Sequence, residues 1–240
     1  MADVEELRAQ VAKACRVLGK LDLTRSASGH ISARIPGTDT LLIRARGEGE
    51  SGVRYTSADD VITVDFDGKK LSGRADLEPP QEVFIHTWLY RTRPALGSVL
   101  HAHPPTVVLF TICNKPLLPL YGAYDPSSLR LLTEGIPTYP RSVTVSNDAL
   151  GKEFAATMAG RACLMRGHGI TTCGKGIEEA TLTAIRLNEL AEMNYRAHLL
   201  GNPQPIPAEE ISQIASRTER GSQHAASSWR YYCRLAGEEA

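Results

Sequence analysis

Ser98-Val99-Leu100-His101-Ala102-His103-Pro104-Pro105 is the stretch on which the fold turns. Its first residues are small or apolar and too few for a helix, and the two prolines cannot donate to a strand ladder. The segment reads as a short buried strand, Ser98 to His101, followed by a helix that Pro104-Pro105 opens and that runs to about Cys113. Strand side chains alternate between faces, so His101 and His103 point the same way. A second apolar strand, Ala162 to Met165, is followed by Arg166-Gly167-His168-Gly169, where glycines let the backbone turn tightly and bring an imidazole to the sheet edge.

Outward from these strands the pattern is mixed. Val4, Leu7, Val11, Ala14 and Leu18 recur at helical spacing over residues 3–19, and Gly19 ends that helix. A β region follows: Ile31 to Arg34, Leu41 to Ile43, then Ile62, Val64 and Phe66, with Asp67-Gly68 turning into Lys69 to Ser72. Arg46 to Val53 is glycine-rich and charged and reads as a loop. Pro79-Pro80 opens a helix to about Arg93. Residues 114–145 read as loops with short strands, and Ser146 or Asn147 caps a helix to Met158. Ile177 to Leu200 is the clearest helix, closed by Gly201-Asn202-Pro203; a last helix spans about Ala208 to Ala226, before an aromatic tail of Trp229, Tyr231 and Tyr232. The order α, antiparallel β, then mixed α and β predicts one α/β domain over residues 1–240, a sheet covered by helices, with 205–240 as C-terminal helix and tail.

Composition removes several functions. The 240 residues carry 27 Lys plus Arg against 27 Asp plus Glu, so bulk electrostatics offers no nucleic-acid partner. No apolar run approaches the ~20 residues of a spanning helix, and MADVEELRAQ is no secretory signal. Five cysteines without a CxxC pair argue against a disulfide framework or a cysteine zinc site, and a reducing cytoplasm is the expected compartment.

Chemistry concentrates in the histidines. His101, His103 and His168 read either as hydrogen-bonded residues at strand ends or as three imidazoles on one divalent metal, an arrangement that leaves coordination positions open for catalysis. Glu82 is a helix-start carboxylate that, near a metal, would be a ligand or would move a proton. His30, after Gly29, is a turn residue or a substrate contact; His86 reads as a packing histidine, and His198 and His224 as structural or surface residues. Two histidines with Glu82 would also suit an Fe(II) facial triad, which the third histidine disfavours.

The stretch Tyr90 to Pro105 resembles the central motif of the class II aldolase/adducin family. Arg166-Gly167-His168-Gly169, Gly174, Glu178-Glu179-Ala180 and the long helix through Glu192 resemble its second motif. The similarity covers roughly residues 5–200. It implies a three-layer α/β/α sandwich with a central, mainly antiparallel sheet, and homotetramers whose sites lie between subunits. It also implies metal binding by His101, His103 and His168, catalysis by Glu82, and a catalytic tyrosine near Tyr121 supplied by a neighbouring subunit. The metal stays open among Zn2+, Fe2+, Co2+ and Mn2+, with Mn2+ favoured by the resemblance.

The family's sugar-phosphate aldolases carry a GN(V/I)S turn, a TPSG-like turn and paired serines before the glutamate, which cradle phosphate. Here Gly29-His30-Ile31-Ser32, the arginine-rich Arg44 to Arg54 and Pro80-Gln81 stand in those places. That departure points to a substrate without phosphate. Tyr121-Gly122-Ala123-Tyr124-Asp125-Pro126 and the tail from Trp229 look like the family's aromatic decarboxylase branch. The implied reaction is decarboxylation of a hydroxylated aromatic dicarboxylate such as 3,4-dihydroxyphthalate to protocatechuate. His30, Arg34, Arg44 and Arg46 are candidates to hold carboxylates, arginine by bidentate contact. Tyr231 is a further substrate contact from the tail. The alternatives are an aldolase for a small hydroxy-ketone or sugar phosphate, or a related epimerase or dehydratase, and an adducin-like scaffold. The intact histidine set disfavours the scaffold.

Overall fold

The computed structural model describes residues 4–120, 127–216 and 221–238. The chain opens with α1 (Val4–Lys20) and continues through β1 (His30–Arg34), β2 (Thr40–Arg44), β3 (Arg46–Gly47), β4 (Val61–Asp65), β5 (Lys70–Ser72) and β6 (Leu77–Glu78). Then come α2 (Val83–Thr92), β7 (Ser98–Ala102), α3 (Pro105–Ile112), α4 (Ser127–Glu134), β8 (Thr138–Tyr139) and α5 (Asp148–Thr157). The last elements are β9 (Ala162–Met165), β10 (Gly169–Gly174), α6 (Ile177–Leu200), α7 (Ala208–Ser216) and α8 (Gly221–Leu235).

Eight strands form one sheet in the order β5-β4-β2-β1-β7-β10-β9-β8, antiparallel except for the β8–β9 pair. Strand β7 is buried at all five positions because it lies in the middle of this sheet with helices over both faces. Alternation sorts its side chains. Leu100 and Ala102 join a core with α1, α3 and α6, whereas Val99 joins a second core with α2 and α5. The two cores make the α/β/α sandwich. Each fully buried Leu, Ile or Val contributes about 1.5–3 kcal/mol of transfer free energy to it. His101 shares the face of Val99, so the histidines open toward α2 rather than toward the long α6.

Several boundaries differ from the sequence expectations. Helix α2 starts at Val83, leaving Glu82 just ahead of it, because Pro79 and Pro80 occupy the extended approach and Val83 is the first residue to bond back, its N–H reaching the Pro80 carbonyl at 3.0 Å. The 46–53 stretch is partly ordered: β3 pairs with β6, Arg46 opposite Glu78. Helix α4 forms within the segment expected to be loop, burying Leu129 and Leu131. The aromatic tail is helical, since Ala225, Trp229 and Tyr232 recur on one face of α8 and, with Ala236 just past its end, pack with buried Cys233 against the α1/α6 core. The single helix expected over 208–226 is therefore two helices, with 217–220 outside the described residues.

Candidate metal and active site

Four side chains from three parts of the chain meet at one end of β7. His101 is on the strand and His103 just past it. Glu82 stands immediately before α2, and His168 sits in the tight turn between β9 and β10, where its N–H bonds the Met165 carbonyl at 3.1 Å. Gly167 makes that turn possible with a φ of 61°. Gly169 answers a different need. A Cβ there would fall on the Ala102 carbonyl oxygen and 2.8 Å from Cδ2 of His103, so only glycine lets β10 close against the histidine strand.

The four ligating atoms lie within 4.8 Å of one another. Nε2 of His101 is 3.1 Å from Oε2 of Glu82, and Nε2 of His168 is 3.4 Å from the same oxygen. The Nε2 atoms of His101 and His103 are 2.9 Å apart. The backs of these groups are anchored. Nδ1 of His168 faces the Val143 carbonyl at 3.3 Å, Nδ1 of His101 faces Oγ1 of Thr171 at 3.4 Å, and Oε1 of Glu82 accepts the Val145 N–H at 3.1 Å.

These anchors supply a test of metal fit. A carbonyl only accepts, so Nδ1 of His168 carries the proton, and the neutral ring turns a bare Nε2 toward a carboxylate oxygen. Two acceptors then face each other across 3.4 Å. A cation placed among the four atoms removes that conflict and uses every lone pair, and three imidazoles with a carboxylate are donors a divalent transition ion takes. Without a cation, an extra proton on His168 would have to fill that gap, and the shifts of Glu82 and His168 reflect it. Burial and the neighbouring His101 and His168 push His103 down to about 3, so its lone pair stays free. Burial opposes ionisation of Glu82, but His101 and the hydrogen bonds from His101 and His168 outweigh it and hold the carboxyl below the usual carboxylate range. Burial likewise opposes charge on His168, and its bond to Glu82 outweighs that and raises it.

Of the remaining described residues singled out by sequence, His30 alone joins the cluster closely, its ring centroid 5.2 Å from that of His101, because β1 pairs His30 directly with His101. Arg34 lies four residues further along β1, about 13 Å by strand rise. It stacks over Phe66 and Tyr90 and bonds the Leu96 and Tyr90 carbonyls, so it is spent on packing away from the cluster. Arg44 is also spent. Buried on β2, it pairs with Glu50 and donates to the Ala27 and Gly29 carbonyls at 2.9 Å, clasping the loop that delivers His30. Arg46 is exposed and donates from Nε to the Pro79 carbonyl at 3.0 Å, three residues before Glu82. Tyr231 is exposed on α8, its ring beside Tyr232. Tyr121 lies outside the described residues. Sequence reasoning missed Thr171 and the backbone of Val143 and Val145. The β10 strand carrying Thr171 is signalled by Ile170-Thr171-Thr172, but a backbone anchor leaves no mark in side-chain identity. His86, read as a satisfied packing histidine, is buried and hydrogen-bonded on both ring nitrogens.

A mainly antiparallel α/β/α sandwich with a three-histidine, one-glutamate cluster at its strand ends defines the class: the chain belongs to the family described as Class II Aldolase and Adducin N-terminal domain, whose model matches residues 9–195. Its fold is similar to that of an aldolase II superfamily protein from Pseudomonas syringae, with a TM-score of 0.84 at 22% identity, covering 98% of this chain and 94% of that one. The particular resemblance is in sequence. The chain is 36% identical over 230 residues to the 3,4-dihydroxyphthalate decarboxylase of Arthrobacter keyseri, covering 93% of this chain and 91% of the relative. It is 38% identical over 211 residues to that of Terrabacter sp. (strain DBF63), covering 86% and 88%. Among the described residues, no helix is long and apolar enough to cross a membrane.

Proposed function

We propose that the protein is a metal-dependent carbon–carbon lyase that removes CO2 from a hydroxylated aromatic dicarboxylate, 3,4-dihydroxyphthalate, to give protocatechuate. The observation that carries this reading is the convergence of Glu82, His101, His103 and His168 within 4.8 Å. The substrate is suggested by the relatives at 36% and 38% identity. His101, His103 and His168 would hold the divalent ion, with Mn2+ favoured and Zn2+, Fe2+ or Co2+ as alternatives. When bound, that ion supplies Lewis-acid stabilisation of negative charge developing on a substrate oxygen.

Glu82 is the residue proposed to move the proton. Its depressed carboxyl is ionised, and its Oε2 faces the cluster. It takes the proton of a phenolic hydroxyl. The C–CO2 bond then breaks, its electrons stay on the ring carbon, and CO2 leaves. Glu82 returns the proton to that carbon, forming the ring C–H and regaining its own charge, and solvent reprotonates the phenolate oxygen. The Val145 N–H bond to Oε1 keeps the second oxygen aimed inward throughout. Arg46, exposed beside the approach to Glu82, is the arginine proposed to hold a substrate carboxylate. Tyr121 is proposed as a second acid reaching the site from a neighbouring subunit of a homotetramer, and the compartment is proposed to be the cytoplasm. Tyr231 serves a substrate only if such an assembly brings α8 to a neighbour's site.

Metal-loaded protein incubated with 3,4-dihydroxyphthalate should release CO2 and accumulate protocatechuate in equal amounts. No turnover with any ortho-hydroxy aromatic diacid would sink the proposal. The same donor set would serve a second reading, aldol cleavage of a small hydroxy-ketone or sugar phosphate. Faster release of an aldehyde than of CO2 across such a panel would select it.

A further inference from the structure

A line of buried polar side chains leads from the metal cluster into the layer between sheet and α2. His30 Nδ1 lies 2.7 Å from His86 Nε2, His86 Nδ1 lies 2.7 Å from Ser32 Oγ, and Ser32 Oγ lies 2.8 Å from the Tyr90 hydroxyl. Exposure along the line is 6% for His30, 0% for His86 and Ser32, and 1% for Tyr90. The spacing is built in: His30 and Ser32 share one face of β1, while His86 and Tyr90 are one turn apart on α2. The far nitrogen of His30, Nε2, has no hydrogen-bond partner among the described residues and is not sealed in. The proton movements proposed above use none of His86, Ser32 or Tyr90.

Both rings are buried, and among the described residues neither is bonded to a carboxylate, so a charged ring here would be an unpaired buried cation. Each ring is therefore neutral and carries one N–H. Only two arrangements then satisfy every link. In the first, Ser32 donates to His86 Nδ1, His86 donates from Nε2 to His30 Nδ1, and His30 presents an Nε2–H. In the second, His30 donates from Nδ1 to His86 Nε2, and His86 donates from Nδ1 to Ser32. Ser32 then turns its hydroxyl to the Val99 carbonyl, 3.4 Å away, and His30 presents a bare lone pair. Tyr90 donates to Ser32 in the first; in the second Ser32 can instead turn its hydroxyl to Tyr90, with the ring protons unchanged. The two arrangements hold the same three protons on His30, His86 and Ser32 and the same charge.

We propose that Tyr90, Ser32 and His86 are positioning residues that set which nitrogen of His30 holds its proton and let a substrate carboxylate select the Nε2–H form, so that His30 reads an anionic oxygen by donating a hydrogen bond. The proposal rests on the substrate class given above. It adds to the substrate-contact role of His30 the device that sets which group His30 presents. A carboxylate oxygen at Nε2 favours the donor form, and that choice propagates through His86 to the orientation of the Ser32 hydroxyl. A buried cation would do the same work at a larger desolvation cost.

The test uses Zn2+-loaded protein with 15N-labelled histidine and phthalate, a dicarboxylate without the hydroxyls the reaction needs. Phthalate-bound protein should show His30 and His86 neutral, each protonated on Nε2. An Nδ1–H form or an imidazolium on either ring in that complex overturns the proposal. Ser32→Ala should raise KM for 3,4-dihydroxyphthalate and Ki for phthalate about tenfold, the scale of one lost hydrogen bond, and lower kcat less than threefold. Ser32→Thr, which keeps the hydroxyl, should recover most of that loss. Unchanged KM and Ki in a Ser32→Ala variant that melts like the parent overturns it as well. Absent turnover by the parent protein with the tautomers as expected would defeat the decarboxylase reading and leave the positioning device standing.

Discussion

The two oxygens of Glu82 have separate partners, Val145 N–H on Oε1 and the histidines on Oε2. Glu82→Gln keeps the shape and an oxygen for Val145 but removes the exchangeable proton site. Its kcat for CO2 release should fall by about 10²–10⁴, the range of a lost general acid–base, with metal content close to the parent. His103→Ala removes a ligand instead, and metal per chain by elemental analysis should drop below about a tenth of the parent value. A chelator should abolish turnover in the parent, with recovery on adding Mn2+. Parental metal content in His103→Ala would show that the histidines hold nothing. The histidine–glutamate cluster was legible because its signals are local: parity along β7 for His101 and His103, and glycines on both sides of His168. The partners of the arginines were not. What a guanidinium does depends on which carbonyls and carboxylates other elements bring to it, and the partners of Arg34 and Arg44 come from segments as far apart as Glu50 and Leu96.

At the scale of elements, the hairpin of β9 and β10 and the docking of α8 carry the next expectations. Gly169→Ala puts a methyl onto the Ala102 carbonyl and against His103. Relief requires β10 to move off β7, so a loss of about 1–3 kcal/mol of stability is expected, together with weakened metal binding, since His168 rides on that hairpin. A Gly169→Ala protein that binds metal like the parent would show that the strands are not so closely set. Helix α8 is tied down just beyond its end by Glu238, whose carboxylate takes a two-point contact from Arg16 on α1, NH2 to Oε2 at 2.6 Å. The bond to Arg16 outweighs burial and lowers the Glu238 carboxyl from its ordinary value. A depressed folded-state value stabilises the fold above the unfolded carboxylate range, and that contribution is lost as pH falls through the folded value. Glu238→Gln should therefore lower Tm by about 2–4 °C at pH 7, for a change near 1 kcal/mol. The difference from the parent should shrink in acid and vanish once the pH lies below the depressed folded value. An equal difference at both pH values would place the effect elsewhere. α8 itself was half-hidden in sequence because its anchoring face, Ala225-Trp229-Tyr232-Ala236, starts where the preceding helical pattern ends. α4 was hidden because the prolines and glycines around it dominate the segment.

For the whole molecule, neutrality of 27 against 27 charges coexists with a donor cluster suited to a cation. One chain brings the three histidines and Glu82 together at one end of β7, and the fold was readable because strand, proline and glycine signals all agreed. The proposal that Tyr121 comes from a neighbouring subunit makes a quantitative statement about mixtures. Glu82→Gln and Tyr121→Phe chains should each assemble and each be nearly inactive. Denatured together in equal amounts and refolded, they form mixed rings in which every site draws Glu82 from one chain and Tyr121 from the next. A heterologous ring of this kind gives an intact pair at about one site in four. CO2 release should then recover to about a quarter of the parent value, and the recovered activity should track the fraction of mixed tetramers resolved by native mass spectrometry. If both groups act within one chain, mixing restores nothing, because no chain in the mixture carries an intact site. If Tyr121 has no catalytic part, Tyr121→Phe is active unmixed, and mixing brings activity only in proportion to the share of that chain. The three outcomes are separable in one titration of chain ratios, in which only a shared site peaks at equal amounts of the two chains.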